Sequence, residues 1–324
     1  MLRDRTGKSP PLCGEGTGVG SANYLLRPLA SPLRTPILAP PLESPRMSPA
    51  PFVTTEWLAA NLHSPSIALV DASWYMPAAK RDPAGEFLQS HLPGAVFFDI
   101  DGVADKTTDL PHMLPTPEDF ARMVGALGIG SDQTIVVYDE SGLFSAPRAL
   151  WTFRTMGARD VRILEGGGAK WRAEGRPLES GEPKIEPRIF TPHFHPENVR
   201  SIAQMRDNLE TRARKVLDAR PAGRFAGTEP EPRAGIRSGH IPGSGNVPVG
   251  LLTENGLLKP ATELQAIFAE RGVELSQPIT TSCGSGITAS TLALALEVAG
   301  AKDVSVYDGS WTEWGGDAST PVEK

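Results

Sequence analysis

The chain carries one stretch of sequence twice, and that constrains its fold more than any other feature. Residues 134–171 lie beside residues 277–314 without a gap, at a constant offset of about 143 residues. Gly157-Ala158-Arg159-Asp160-Val161 answers Gly300-Ala301-Lys302-Asp303-Val304, Leu164-Glu165-Gly166 answers Tyr307-Asp308-Gly309, and Trp171 answers Trp314. Further upstream, His91-Leu92-Pro93-Gly94 answers His240-Ile241-Pro242-Gly243, and Val70-Asp71-Ala72 answers Leu217-Asp218-Ala219. The spacing drifts there by a few residues, as connecting loops allow. A sequence repeated in this way folds twice into one architecture. The 324 residues are also too many for one ordinary core. Two homologous domains are expected.

Each copy has an α/β rhythm. In the first, residues 57–62 read as a helix, Ile67-Ala68-Leu69-Val70 as a buried strand, and Ala95-Val96-Phe97-Phe98 as a short one. Residues 117–127 form the next helix, with Pro117 suited to its first turn. Thr134-Ile135-Val136-Val137-Tyr138 is the most strand-like run, residues 148–156 are helical, and Val161-Arg162-Ile163-Leu164 closes the set. Short apolar strands alternating with helices predict an α/β fold: two tandem domains, each a short parallel sheet with helices on both faces. The first domain is expected over residues 51–172 and the second over 197–324. A Pro-, Gly- and charge-rich linker over 173–196 joins them.

The first 50 residues differ in character: nine prolines interrupt them and no hydrophobic period persists. They read as a disordered extension. A mitochondrial transit peptide is the alternative, as is a true start at Met47; without a transit peptide the expected compartment is the cytoplasm. The formal charge of -6 offers no basic face for nucleic acid. No apolar run approaches the ~20 residues of a membrane span. Two cysteines, Cys13 and Cys283, cannot build a disulfide framework and suit a reducing compartment.

Chemistry concentrates at Thr281-Ser282-Cys283-Gly284-Ser285-Gly286-Ile287-Thr288, between the strand Pro278-Ile279-Thr280-Thr281 and an apolar helix from Ala289. A thiol so placed faces the unpaired N–H groups and positive dipole end of a helix N-terminus, an environment that favours the thiolate. A small buried cysteine in a turn is the plainer reading, but two glycines and two hydroxyls build a polar cradle rather than core. Cys283 is the expected nucleophile. In the gap-free register its counterpart is Glu140, which cannot act as a sulfur nucleophile, so only the second copy is expected to be catalytic. His193 and His195 have no cysteine partner nearby and make no zinc site.

The Cys283-Gly284-Ser285-Gly286-Ile287-Thr288 loop resembles the tandem-rhodanese sulfurtransferases, and within them the group that uses 3-mercaptopyruvate. So does the run from Asp218-Ala219-Arg220 through Gly223-Arg224-Phe225-Ala226-Gly227-Thr228-Glu229-Pro230-Glu231-Pro232-Arg233 to Gly239-His240-Ile241-Pro242-Gly243. The likeness extends over nearly the whole chain from Phe52. Thiosulfate-preferring members place Arg and Lys after the cysteine, whereas this chain has Gly284 and Ser285. The resemblance implies a two-step transfer through a Cys283 persulfide to a small thiol, thioredoxin or cyanide, with pyruvate released and no metal or organic cofactor. It assigns substrate binding to Arg224 and Arg233, for which surface ion pairs with Glu229 or Glu231 are the alternative. The N–H groups of Gly284, Ser285, Gly286, Ile287 and Thr288 would cradle the persulfide. It also implies a proton relay of Ser285 and His91, with Asp82 as the nearest upstream aspartate; His91 packing the turn before Pro93-Gly94 is the competing reading. A thiosulfate:cyanide sulfurtransferase is the nearest alternative function, and an inactive rhodanese pair acting as a binding module is the third. A cysteine phosphatase is disfavoured, because Ala289 stands where its loop needs an arginine.

Overall fold

The structure, a computed structural model, describes residues 51–324. The expectations for the first 50 residues therefore lie outside the described residues. The first copy runs β1 (Phe52–Val53), α1 (Thr55–Asn61), β2 (Ile67–Asp71), α2 (Pro83–Gln89), β3 (Ala95–Phe97), α3 (Ile100–Val103), α4 (Pro117–Ala126), β4 (Thr134–Tyr138), α5 (Ala146–Thr155), β5 (Asp160–Leu164) and α6 (Gly167–Ala173). The second runs β6 (Val199–Arg200), α7 (Ile202–Thr211), β7 (Lys215–Asp218), α8 (Ala222–Phe225), β8 (Gly245–Asn246), the hairpin β9 (Thr253–Glu254) and β10 (Leu257–Leu258), α9 (Ala261–Glu270), β11 (Ile279–Ser282), α10 (Ile287–Ala299), β12 (Val304–Tyr307) and α11 (Ser310–Gly316).

The two main sheets match strand for strand. Their orders are β1-β5-β4-β2-β3 and β6-β12-β11-β7-β8, and every neighbouring pair within them is parallel. The central strands β4 and β11 are apolar or buried along their length, as strands covered on both faces must be. Local chemistry sets several boundaries. The Thr54 hydroxyl caps α1 through the Trp57 N–H, and Thr116 caps α4 with Pro117 in its first turn.

Two helices join the copies. α5 follows β4, α10 follows β11, and the pair pack on one another. α10 is buried at ten of its positions, which explains its near-continuous apolar sequence. Trp151 of α5 packs in the second copy's core, whereas Leu294 and Ile287 of α10 pack in the first copy's core.

The predicted linker has little regular structure but is pinned along the first domain. Glu179 exchanges both backbone bonds with His91, Arg188 N–H donates to the Gly125 carbonyl, and His193 N–H donates to the Met156 carbonyl. Phe190 is buried against Phe120, with ring centroids 5.4 Å apart.

Candidate active site

Cys283 sits where β11 ends and α10 begins, outside the carboxyl end of a central strand, where open α/β sheets place their ligands. The residue is 2% exposed. Its Sγ accepts the Gly286 N–H at 3.1 Å. Carbonyls of the loop point the other way: Cys283 C=O accepts the Trp311 N–H at 2.9 Å, and Gly284 C=O accepts the Thr312 N–H at 2.9 Å and its hydroxyl at 2.6 Å. Tying these carbonyls to the first turn of α11 leaves N–H groups for the thiol side, the arrangement an anion needs. Ser310 braces the loop from behind; its hydroxyl accepts the Cys283 N–H at 3.2 Å and donates to the Tyr307 carbonyl at 2.8 Å. Gly286 has φ +87°, a left-handed conformation that favours glycine. Ser285 is buried in the same loop, and Thr288 is half-buried.

Both predicted arginines come to this loop. Arg224, on α8, pairs with Glu231, and its Nη2 lies so close to Gly284 that an added Cβ would meet it at 3.3 Å. Glu231 is shared: its other oxygen accepts Arg220 Nη1 at 2.6 Å. Arg220 is buried, grips Asp218 through Nε and Nη2 at 3.0 and 2.7 Å, and lies over the Trp311 ring at 4.4 Å. The anticipated ion pair of Arg224 with Glu231 thus exists, and it aims the guanidinium across Gly284 rather than out to solvent. Arg233 is half-buried and, among the described residues, has no ion-pair partner. Burial pulls its pKa below the ordinary value, the Cys283 thiol opposes that shift, and Arg224 adds to it. A desolvated cation that lacks a counter-charge favours an anion near it.

The first domain contributes side chains that sequence reasoning missed. Arg148 of α5 is 2% exposed; its Nη2 donates to Asp308 Oδ1 at 2.7 Å and to the His112 carbonyl. Asp308 Oδ2 also accepts the Leu114 N–H at 2.8 Å. His112 is buried beneath Trp74, with its Nδ1 3.3 Å from Asp101 Oδ1. Burial first, then Arg148, Arg233 and Lys106, lower its pKa to about 3, so the ring is neutral.

The structure does not bring His91 or Asp82 into the Cys283 loop. His91 is buried; its Nδ1 bonds the Phe87 carbonyl at 2.7 Å and its ring stacks on Phe87 at 4.0 Å. His240 repeats this arrangement in the second copy, with Nδ1 2.9 Å from the Phe225 carbonyl and a stack at 3.9 Å. Each histidine bridges a glutamate, Glu179 or Glu323, whose carboxylate accepts the N–H of Gly94 or Gly243 at 2.9 Å. A motif used identically in both copies locks a turn, as the competing reading of His91 anticipates. Asp82 caps α2 through the Gly85 N–H at 3.0 Å.

The counterpart of Cys283 is Asp139, not Glu140. Asp71 of β2 pairs with Tyr138, and the matching Asp218 of β7 pairs with Ser282. Gly168 N–H donates to the Asp139 carbonyl as Trp311 N–H donates to that of Cys283. The first loop carries one extra residue before its helix, so the gap-free register slips by one there. Asp139 shows what such a cradle holds: one carboxylate oxygen accepts the N–H groups of Phe144, Ser145 and Ala146, each at 2.8 Å. Glu140 is engaged by Arg172, with Nε and Nη2 each 3.0 Å from its oxygens.

Two paired strand orders and a cysteine at one strand–helix cradle agree with the match of a rhodanese-like domain model to residues 54–174 and again to 201–317. The chain belongs to the rhodanese family. It is 45% identical over 278 residues to a 3-mercaptopyruvate sulfurtransferase of Escherichia coli, covering 86% of this chain and 99% of that one. It is 44% identical over 270 residues to a rat thiosulfate sulfurtransferase, covering 81% and 91%. The crystal structure of SseA from E. coli, a 3-mercaptopyruvate enzyme, superposes with a TM-score of 0.75 at 44% identity, covering 80% of this chain and 98% of that one. Rhodanese relatives named for two different sulfur donors are thus about equally similar. Overall identity does not separate the donors, and the residues around Cys283 must.

Proposed function

We propose that the chain is a 3-mercaptopyruvate sulfurtransferase with Cys283 as its sulfur carrier. The Cys283 thiolate attacks the donor's sulfur; an S–S bond forms, the C–S bond breaks, and the electron pair leaves with pyruvate as its enolate. The enolate takes a proton, giving pyruvate, and Cys283 is left as a persulfide. An acceptor thiolate then attacks the outer sulfur and frees the Cys283 thiolate. Splitting one transfer into two displacements is the usual advantage of covalent catalysis.

The observation that carries the donor assignment is Arg224, which Glu231 holds against Gly284, with Arg233 half-buried and, among the described residues, without an ion-pair partner. A thiosulfate sulfonate bears its charge at the sulfur being transferred, so it calls for cations inside the loop. Positions 284 and 285 are instead glycine and serine. Mercaptopyruvate bears its carboxylate further from the thiol, which suits guanidinium groups standing off the loop. Ser285, buried in the loop, is retained as a proton-handling group. The reading of a thiosulfate sulfurtransferase is favoured by the rat relative at similar identity and by two Arabidopsis thaliana relatives named for both donors.

The deciding experiment assays purified protein with cyanide as acceptor and either 3-mercaptopyruvate or thiosulfate as donor, following thiocyanate. A large kcat/KM preference for mercaptopyruvate is expected. A preference for thiosulfate would keep Cys283 as nucleophile and overturn the donor assignment; turnover of neither would leave a binding module. Thioredoxin and small thiols are the acceptors to compare next.

A further inference from the structure

Asp71 and Asp218 end β2 and β7 at equivalent positions. Each accepts the N–H of the residue two further on, Ser73 at 2.9 Å and Arg220 at 2.8 Å. The copies differ in the side chain at that second position. In the second copy the Arg220 guanidinium lies on the Asp218 carboxylate, and its Nη2 also donates to the Gly239 carbonyl at 2.8 Å. In the first copy Ser73 is too short for this, and among the described residues Asp71 has no ion-pair partner. The Ser90 carbonyl, counterpart of that of Gly239, is taken by Arg172 Nη2 at 2.6 Å. That guanidinium pairs with Glu140 rather than with Asp71.

Beside Asp71 lies a cavity of about 180 Å³, which Arg81, Glu86, Glu140 and Arg172 also line. Arg81 Nε donates to Glu86 at 2.8 Å and Arg172 Nε to Glu140 at 3.0 Å. Two of the three carboxylates therefore carry a guanidinium of their own. The third, Asp71, is 2% exposed and has none. Burial raises its carboxyl to about 6, as expected for a desolvated carboxylate that no cation offsets. The second copy balances its charges: Arg220 serves Asp218 and Glu231, and Arg224 serves Glu231. A buried charge without a counter-charge is costly and favours a ligand that supplies one. A cavity of about 150 Å³ admits a benzene-sized planar molecule, and a guanidinium is smaller.

We propose that the first domain holds a binding site for a small molecule bearing a guanidinium group, which takes beside Asp71 the place that the Arg220 side chain fills beside Asp218. A guanidinium suits the site better than an ammonium. Its planar fork pairs with a carboxylate as Arg220 does, and its weaker hydration makes burial less costly. No residue of the Cys283 loop lines the cavity. The site thus needs neither Cys283 nor a sulfur donor, and its test is separate from that of the proposed activity.

Methylguanidinium is titrated calorimetrically into the full-length protein at neutral pH, where Asp71 is ionised. Saturable binding at one site per chain is expected, with Kd of about 1 mM or tighter. Methylammonium is expected to bind about tenfold more weakly or worse. Asp71→Asn keeps the size of the side chain and an acceptor for the Ser73 N–H, and should weaken methylguanidinium binding by about tenfold or more. Ser73→Arg tethers a guanidinium in the cavity and should block the added one; it serves if Asp71→Asn fails to fold. Absence of saturable binding, or equal affinity for methylammonium, would overturn the proposal. So would binding that Asp71→Asn leaves unchanged or, should that variant not fold, that Ser73→Arg leaves unchanged.

Discussion

Arg154 Nη1 donates to Glu297 Oε2 across 3.1 Å, and the two residues hold the same place in the two copies of the repeat. Equivalent positions meet one another only across an approximate two-fold axis. Trp151 and Leu294, also equivalent, obey the same relation, each seated in the other copy's core. At such a contact, unchanged copies would oppose like charges; here one copy has Arg and the other Glu. The pair is partly exposed and contributes at most about 1 kcal/mol. Its value is in showing how the Cys283 loop on one copy comes to lie against α5 of the other.

Replacement of Cys283 by serine is expected to abolish sulfur transfer while leaving the fold intact, since a hydroxyl can take the Gly286 N–H in place of sulfur. Thiocyanate production and thermal unfolding check the two halves. Substantial residual turnover would remove Cys283 from the mechanism.

Arg224 and Arg233 separate by stability. Arg233→Ala should raise KM for mercaptopyruvate roughly 10–100-fold, the loss expected for a charge-assisted contact, with little change in Tm. Arg224→Ala should raise KM similarly but also lower Tm, because it strips one of two arginines from the buried Glu231. An unchanged KM in either variant would return that arginine to a scaffold role.

His91→Ala should cost stability, about 1–3 kcal/mol for a buried, stacked and hydrogen-bonded ring, with kcat held within about twofold. His240→Ala should behave alike, as the paired geometry requires. A collapse of kcat in the His91 variant alone, without loss of stability, would restore the proton relay.

His112 makes stability depend on pH. Its folded pKa near 3 lies below the ordinary histidine value of 6.5, so between these limits the unfolded chain binds the extra proton. Its contribution is complete above about pH 6.5 and is lost as pH falls toward 3, at up to about 1.4 kcal/mol per unit. Asp71, raised to about 6 by burial, has the opposite slope between 3.8 and 6. His112→Asn keeps a residue that tolerates φ +62° and removes the titration. Denaturant unfolding from pH 4 to 6 should then show a slope lower than that of the parent protein; equal slopes would refute a buried neutral imidazole.

The repeat, the α/β alternation, Cys283 and the two arginines were legible because each is a local pattern. Alternating strand and helix periods, a glycine-framed thiol and cations on a proline-broken segment need no tertiary knowledge. Arg148 was not legible in this way. Its partner Asp308 is remote in sequence, and an arginine at the start of a helix usually faces solvent. The signal available was its company: Ala146, Pro147, Ala149 and Leu150 leave little room for a polar face. His91 carried its own warning, since His240 repeats it in a copy that already has the thiol. The Asp139–Glu140 slip arose because matches on both sides of the loop concealed an inserted residue.

The filled first cradle also sets a count. Asp139 fills that cradle with a carboxylate of its own, and Cys283 is the only cysteine in residues 51–324. Under the proposed mechanism the folded pair has one berth for cargo rather than two. Sulfur loaded on it should be stoichiometric with protein chains, and the duplicated fold adds structure without adding capacity.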